Sequence, residues 1–430
     1  MKKIKLSTIR LFVAAFLLCL ANLVQARNDQ PINLNAPNED VISKWNRVLA
    51  NTTQIPNAPT IPFYQAQTKF AFADEPLVNV ADIEQLYTAV NNPGNAGSQI
   101  VLAPGVYMLS ATGPGGTPRP NGGRLELQEN MSLRGITYHR DLVVIDAMNL
   151  TAVSGSIVIG KGSNSIEWLT IRNNVNGSAG ISTIIFPGTA FIRIAHIIST
   201  GNRRGIDIAN SGAAAAGRRI EAEIVDNDLY NNLVGLGEGM RIVNFGGANG
   251  GSIVVRMSGN RSYGNKQGLL VVNNRSNNAN ISVFSSGDRF YENGAGAIIF
   301  GALSSNSTPA NGNTVTFESR GSDFVDNRGA ADFDRGGVVI GGGENISIPN
   351  GTSNNRVSVN LINCRLANNQ IGDLIAFGAR SDPITIGLPG TNNIVHVLLH
   401  GVNEKSMVEL FTNSIPVYPG GMNFVSVIRY

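Results

Sequence analysis

IEAEIVDNDLYNN at residues 220–232 returns as IVVRMSGNRSYGN at 253–265 and ISVFSSGDRFYEN at 281–293, then as VTFESRGSDFVDN at 315–327 and VSVNLINCRLANN at 357–369. The five copies close on Asn232, Asn265, Asn293, Asn327 and Asn369. Apolar residues fall at every second position, as in Ile253, Val255 and Met257, which predicts a strand with one face inward. Asp226, Gly259, Gly287, Gly321 and Asn363 then mark a turn, and a short second strand follows, often with an aromatic residue such as Tyr230, Tyr263 or Tyr291. The closing Asn is expected to take a left-handed corner and to stack with its counterparts. A third apolar stretch opens on Gly: GIDIAN from Gly205, GMRIVN from Gly239, GLLVVN from Gly268, GAIIFG from Gly296 and GVVIGG from Gly337.

A single unit of this kind cannot bury its inner face, whereas a stack can. Three short strands per coil predict an all-β, right-handed parallel β-helix. Four strands per unit, which a propeller needs, and the LxxLxL phrase of a leucine-rich repeat are absent. Ahead of the coils, Ile83, Leu86, Tyr87 and Val90 have helical spacing, which predicts an N-terminal capping helix with Asn79 as its N-cap. Residues 79–430 form the expected β-helix domain, with a closing segment at its C-terminal end. Residues 27–78 read as a Pro- and Asn-rich arm.

Residues 1–26 have the pattern of a signal peptide. Lys2, Lys3, Lys5 and Arg10 precede the apolar run LFVAAFLLCL, and Val24-Gln25-Ala26 offers cleavage after Ala26. The run is too short for a membrane span. The expected product is secreted or periplasmic. The full chain has 33 basic and 30 acidic side chains. The leader holds four of the basic ones and none of the acidic, so the mature balance is 29 against 30. The basic character belongs to the leader and argues against nucleic acid as a partner. Cys364 is the only cysteine after cleavage, at a position filled by Asn227, Asn260, Asp288 and Ser322 in the other copies, which reads as a small structural residue.

The first coil carries a resemblance. Its residues are Ile83-Glu84-Gln85-Leu86, Ala89-Val90, Pro93-Gly94, the run from Ile100 through Pro104-Gly105 to Tyr107, Leu125-Glu126-Leu127, Met131-Ser132-Leu133-Arg134-Gly135 and Val143-Val144-Ile145-Asp146. This stretch resembles the helical cap and first turn of the pectate-lyase-like superfamily. The resemblance implies a β-helix and a setting of polysaccharide chemistry, in a group that also contains epimerases, hydrolases, tailspikes and adhesins. The Asn-Thr-Asp, Gly-His-Gly and Arg-Ile-Lys phrases of the polygalacturonate hydrolases are missing, as are the Trp-Ile-Asp-His and Arg-x-Pro-x-x-Arg phrases of the best-known pectate lyases.

The repeat also sorts the charges. Asp228, Arg261, Arg289, Asp323 and Arg365 share its ninth position, and Glu223 and Arg256 share another, so these predict structural ladders. Charges outside the repeat are the candidates for chemistry. Lys266, Arg241 and Asp207 form the expected catalytic set, with Lys266 or an arginine as base. Arg203, Arg204, Glu238, Arg275, Asp332, Asp334 and Arg335 form the expected substrate-binding set, with Asp332 and Asp334 as an acid and base if the reaction is hydrolytic. Alternation after the Gly places Asp207 and Arg241 side by side on an exposed face. No cofactor is expected; calcium has only Asp332-x-Asp334 to suggest it, and the His residues form no metal motif. The expected partner is a polysaccharide or cell-surface glycan. The expected function is lyase-type action on an acidic polysaccharide, with a non-catalytic surface or extracellular solenoid as the alternative.

Overall fold

The computed structural model describes residues 75–430 except 151–154, 160–162, 184–188, 236, 305–308, 329–335, 346–351, 371, 382–389, 404–407 and 412–422. The expected leader, the arm up to residue 74, and Asp332, Asp334 and Arg335 lie outside the described residues.

Each repeat unit contributes one strand to each of three parallel sheets. The first sheet runs in chain order from Leu77–Val80 through Arg219–Val225, Ser252–Ser258, Asn280–Ser286, Thr314–Arg320 and Arg356–Ile362 to Phe424–Arg429. The second holds the short strands Asp228–Tyr230, Arg261–Tyr263, Arg289–Tyr291, Asp323–Val325 and Arg365–Ala367. The third holds Arg204–Ser211, Glu238–Phe245, Gln267–Asn274, Ala295–Ser304 and Gly336–Gly341. Ile220, Ile253, Ile281, Val315 and Val357 are mutual register partners from coil to coil, so the repeat is the register. The chain is a right-handed parallel β-helix with three strands per coil.

The inward residues form one continuous core. Ile253, Val255, Ile281, Val283, Leu269, Val271 and Phe290 are all at most 1% exposed. The helix Ile83–Asn91 buries Leu86, Tyr87, Ala89 and Val90 and packs against the first strands of all three sheets. Its N-cap is Asp82, whose side chain accepts from the Gln85 amide at 2.8 Å. This corrects the expected cap: Asn79 lies in the strand Leu77–Val80 and pairs with Val101, because strand pairing to the first coil extends up to Val80.

The corners also differ from expectation by one residue. The left-handed backbone belongs to the residue before each closing Asn: Asn231, Gly264, Glu292, Asp326 and Asn368. The closing Asn points inward instead and is buried. Asn232, Asn265, Asn293 and Asn327 each donate Nδ2 to the Oδ1 of the next Asn, at 3.1, 3.2, 3.3 and 2.9 Å. Such a column satisfies the amides and backbone groups that a turn inside an apolar core would otherwise leave unpaired. A second column runs Asn227, Asn260, Asp288, Ser322 and Cys364. Cys364 is 3% exposed with Sγ 3.3 Å from the Ser319 carbonyl, and burial pushes its thiol above the ordinary range, as befits a structural residue.

The ninth-position ladder forms as expected. Arg261 grips Asp228 at 2.5 and 2.7 Å, and Arg289 lies 3.3 Å from Asp323. Beside it, Tyr230, Tyr263 and Tyr291 stack with centroids 5.0 and 4.9 Å apart. Glu223 and Arg256 share a register, but the ion pair of Glu223 is to Arg193 on the other side.

Candidate functional site

The third sheet presents its outer face through alternate residues of each strand. Asp207 and Arg241 are register partners there, as the alternation predicts. Arg241 donates Nε to Asp207 Oδ1 at 2.8 Å and Nη2 to Oδ2 at 2.6 Å. Burial opposes the charge on Arg241, but the adjacent carboxylate of Asp207 outweighs it and holds the guanidinium above its ordinary value. The expected exposure is not found. Asp207 is 3% exposed, and the face continues as a second apolar cluster of Val243, Val272, Ile298, Phe300, Val339 and Phe377. These apolar residues are themselves at most 3% exposed.

Arg204 and Glu238 are also register partners, at the start of the same strands. Arg204 Nε lies 3.1 Å from Glu238 Oε2, but its N–H does not point along a hydrogen bond, and both carboxylate oxygens lack one. The contact is electrostatic rather than hydrogen-bonded. Arg204 also reaches the Ser178 carbonyl at 3.2 Å and Asp207 at 4.0 Å. Two arginines and two carboxylates thus form a buried, charge-balanced cluster, and Asp207, Arg241, Arg204 and Glu238 are removed from the set available to a substrate.

The remaining expected residues separate. Arg275 lies at the far end of the strand from Lys266, nine residues on and therefore roughly 30 Å away. Its guanidinium sits over Phe245, 4.3 Å from the ring centroid. Arg203 packs at the Gly235 turn, where an added Cβ would meet its Nε at 2.8 Å. Lys266 is exposed and donates Nζ to the Gly235 carbonyl at 2.6 Å.

Lys266 opens onto a cleft of about 600 Å³ at the corner between the second and third sheets. Leu233, Glu292, Asp326 and Arg328 line it with the backbone of Gly264 and Gly294. Arg328 lies 3.5 Å from Asp326, and both side chains are solvent-accessible. Glu292, Asp326 and Arg328 were not among the expected site residues. Glu292 and Asp326 belong to the repeat, next to its closing Asn, and so read as corner residues. The available signal was the column itself: Asn231, Gly264, Glu292, Asp326 and Asn368 contain one residue, Glu, that is not a corner type.

Two buried charged residues were also missed. Arg218 donates Nε to Asn210 Oδ1 at 2.7 Å, and burial pushes its guanidinium down to about 10. Asp146, 2% exposed, receives Arg172 Nε at 2.7 Å. Burial works against its carboxylate, but Arg172, Asn173 and the Met148 amide hold it below the ordinary value. Among the described residues no three His, Cys, Asp or Glu side chains converge as metal ligands, and Asp332-x-Asp334 lies outside them.

No protein-family profile and no curated protein sequence matches this chain. Similar solved structures include pectate lyase Pel9A, at 14% identity over 75% of this chain and 79% of that one, with a TM-score of 0.41. They also include two Azotobacter vinelandii mannuronan C-5 epimerase A-modules. AlgE4 is 16% identical over 81% of this chain and 96% of that one, at TM-score 0.42. AlgE6 is 15% identical over 81% and 94%, at 0.37. At these identities and scores the comparison assigns no activity. The parallel β-helix implied by the first-coil resemblance is the fold of this chain, and it stands on the three sheets themselves.

Proposed function

We propose that this protein engages an acidic polysaccharide at the Lys266 cleft and cleaves it by β-elimination. The observation that carries the reading is the placement of two cations, Lys266 and Arg328, along one open cleft on the side of a rigid solenoid. Arg328 would neutralise a uronate carboxylate, making the proton on C5 more acidic. Lys266 Nζ would take that proton as the C4–C5 double bond forms and the C4–O bond breaks, and would pass it to the departing sugar oxygen.

The test is incubation with a panel of uronate polymers, following the ultraviolet absorbance of the unsaturated product. One polymer is expected to yield product. Lys266→Ala is expected to lower kcat by a factor of about 100 or more, with the circular dichroism spectrum unchanged. Arg289→Ala, in the ninth-position ladder, is expected to leave the rate intact. No product from any polymer, or full activity in Lys266→Ala, overturns the elimination reading.

A second reading, a non-catalytic solenoid that binds or displays, is favoured by a separate observation. Four of the charged residues outside the repeat pair with one another in the buried cluster. Binding of a polymer without turnover is the outcome that selects it.

A further inference from the structure

Fifteen non-glycine residues among those described have positive φ, and eleven are Asn or Asp, which tolerate it. The other four are Trp168, His196, Arg275 and Glu292, at φ 59, 55, 54 and 55°. Three of them recover something from the fold. Trp168 and His196 stack with centroids 4.0 Å apart, Tyr138 meets Trp168 edge-on at 5.3 Å, and His196 Nδ1 lies 2.9 Å from Asp226. Arg275 rests on Phe245. Glu292 recovers nothing comparable: its side chain is exposed and makes no hydrogen bond or ion pair among the described residues. Its column-mates Asn231, Gly264, Asp326 and Asn368 show which residues the corner favours.

A long side chain held in a disfavoured backbone conformation, with no partner of its own, points outward for its purpose. Glu292 lines the cleft that holds Lys266. Asp326, one coil along in the same column, already faces Arg328. Lys266 does not pair with Glu292, and its ammonium is held by the Gly235 carbonyl instead. The cleft is therefore lined by Lys266, Arg328 and a carboxylate whose two acceptor oxygens are unpaired among the described residues.

We propose that Glu292 is a ligand-contacting residue that accepts hydrogen bonds from the hydroxyl or amino groups of a sugar unit. The polymer that fits best then carries both carboxylate and donor groups along its length, such as a uronate alternating with a hydroxyl- or amine-bearing sugar. This inference rests on the polysaccharide reading of the cleft and names its ligand more closely.

The test compares the full protein with Glu292→Asn and Glu292→Gly, which install the corner residues of neighbouring coils. Both variants are expected to melt higher by roughly 1–2 °C, because the corner strain is released. Both are expected to lose affinity at least about tenfold, the scale of a lost hydrogen bond to a charged acceptor. Affinity is read by calorimetry or affinity electrophoresis against uronate homopolymers and alternating uronate–amino-sugar polymers. Unchanged affinity in a more stable variant overturns the role of Glu292 and leaves the cleft reading standing. Lost affinity in a protein that never produces unsaturated sugar removes the elimination chemistry and leaves Glu292 as a ligand residue. A wild-type protein that binds none of the polymers overturns both.

Discussion

Arg241→Ala and Asp207→Ala are each expected to destabilise the β-helix by about 3–5 kcal/mol, the range for breaking one side of a buried ion pair. Asp207 is 5% exposed at its side chain and Arg241 17%, and two short hydrogen bonds join them. Removing either leaves the other charge with too little water to replace its partner. The double replacement Asp207→Leu with Arg241→Met should cost much less, within about 2 kcal/mol, because the site then joins the neighbouring apolar cluster of Val243, Val272 and Phe300. Urea unfolding followed by circular dichroism checks this. Single variants no less stable than the double variant would show that the pair is solvated. The result also bears on any activity assay: a drop in Arg241→Ala reflects lost folded protein unless rates are normalised to the folded fraction.

Asp288→Asn is expected to stabilise the protein at neutral pH by roughly 3 kcal/mol, the equivalent of a carboxyl raised by about two pH units. Asp288 stands in the second Asn column, fully buried. Burial pushes its carboxyl from 3.8 up to about 6, against the pull of Ser285 and Asn260. Because the folded value is the higher one, the stability linked to this group is fully present below about pH 4 and is lost as pH rises through about 6. Asn at this position retains an oxygen for the Asn260 amide and side chain, both now 2.8 Å from Oδ1. Ser285 Oγ, which donates to Oδ2 at 2.6 Å, can accept from the new amide instead and donate to Ser322 at 3.2 Å. The advantage of the variant should therefore be largest at pH 7 and shrink toward pH 4. A difference independent of pH, or absent at pH 7, would contradict it.

The charge sorting illustrates how far periodicity reaches. Register partners such as Asp207 with Arg241, and Asp228 with Arg261, follow from counting residues after a Gly or within the repeat. Burial does not, because it depends on what lies over a strand, and alternation encodes only which side a residue takes. Asp207 and Arg241 therefore read as an exposed pair and are a buried ion pair. Glu292 and Asp326 show the converse case. As members of the repeat they read as punctuation, but the corner turns them outward beside Lys266, from a different coil. Only the stacking of coils brings residues 266, 292, 326 and 328 to one place.

What the sequence determined alone is the solenoid: three strands per coil, the inward residues, the Asn columns and the register of charges between coils. All of these are local patterns repeated at a fixed phase, so each copy reports the same environment. The tertiary structure decided which outward face is covered, which charges are already neutralised, and which corner opens as a cleft. Those depend on contacts between coils and on the departures from the repeat, where the pattern has nothing to repeat.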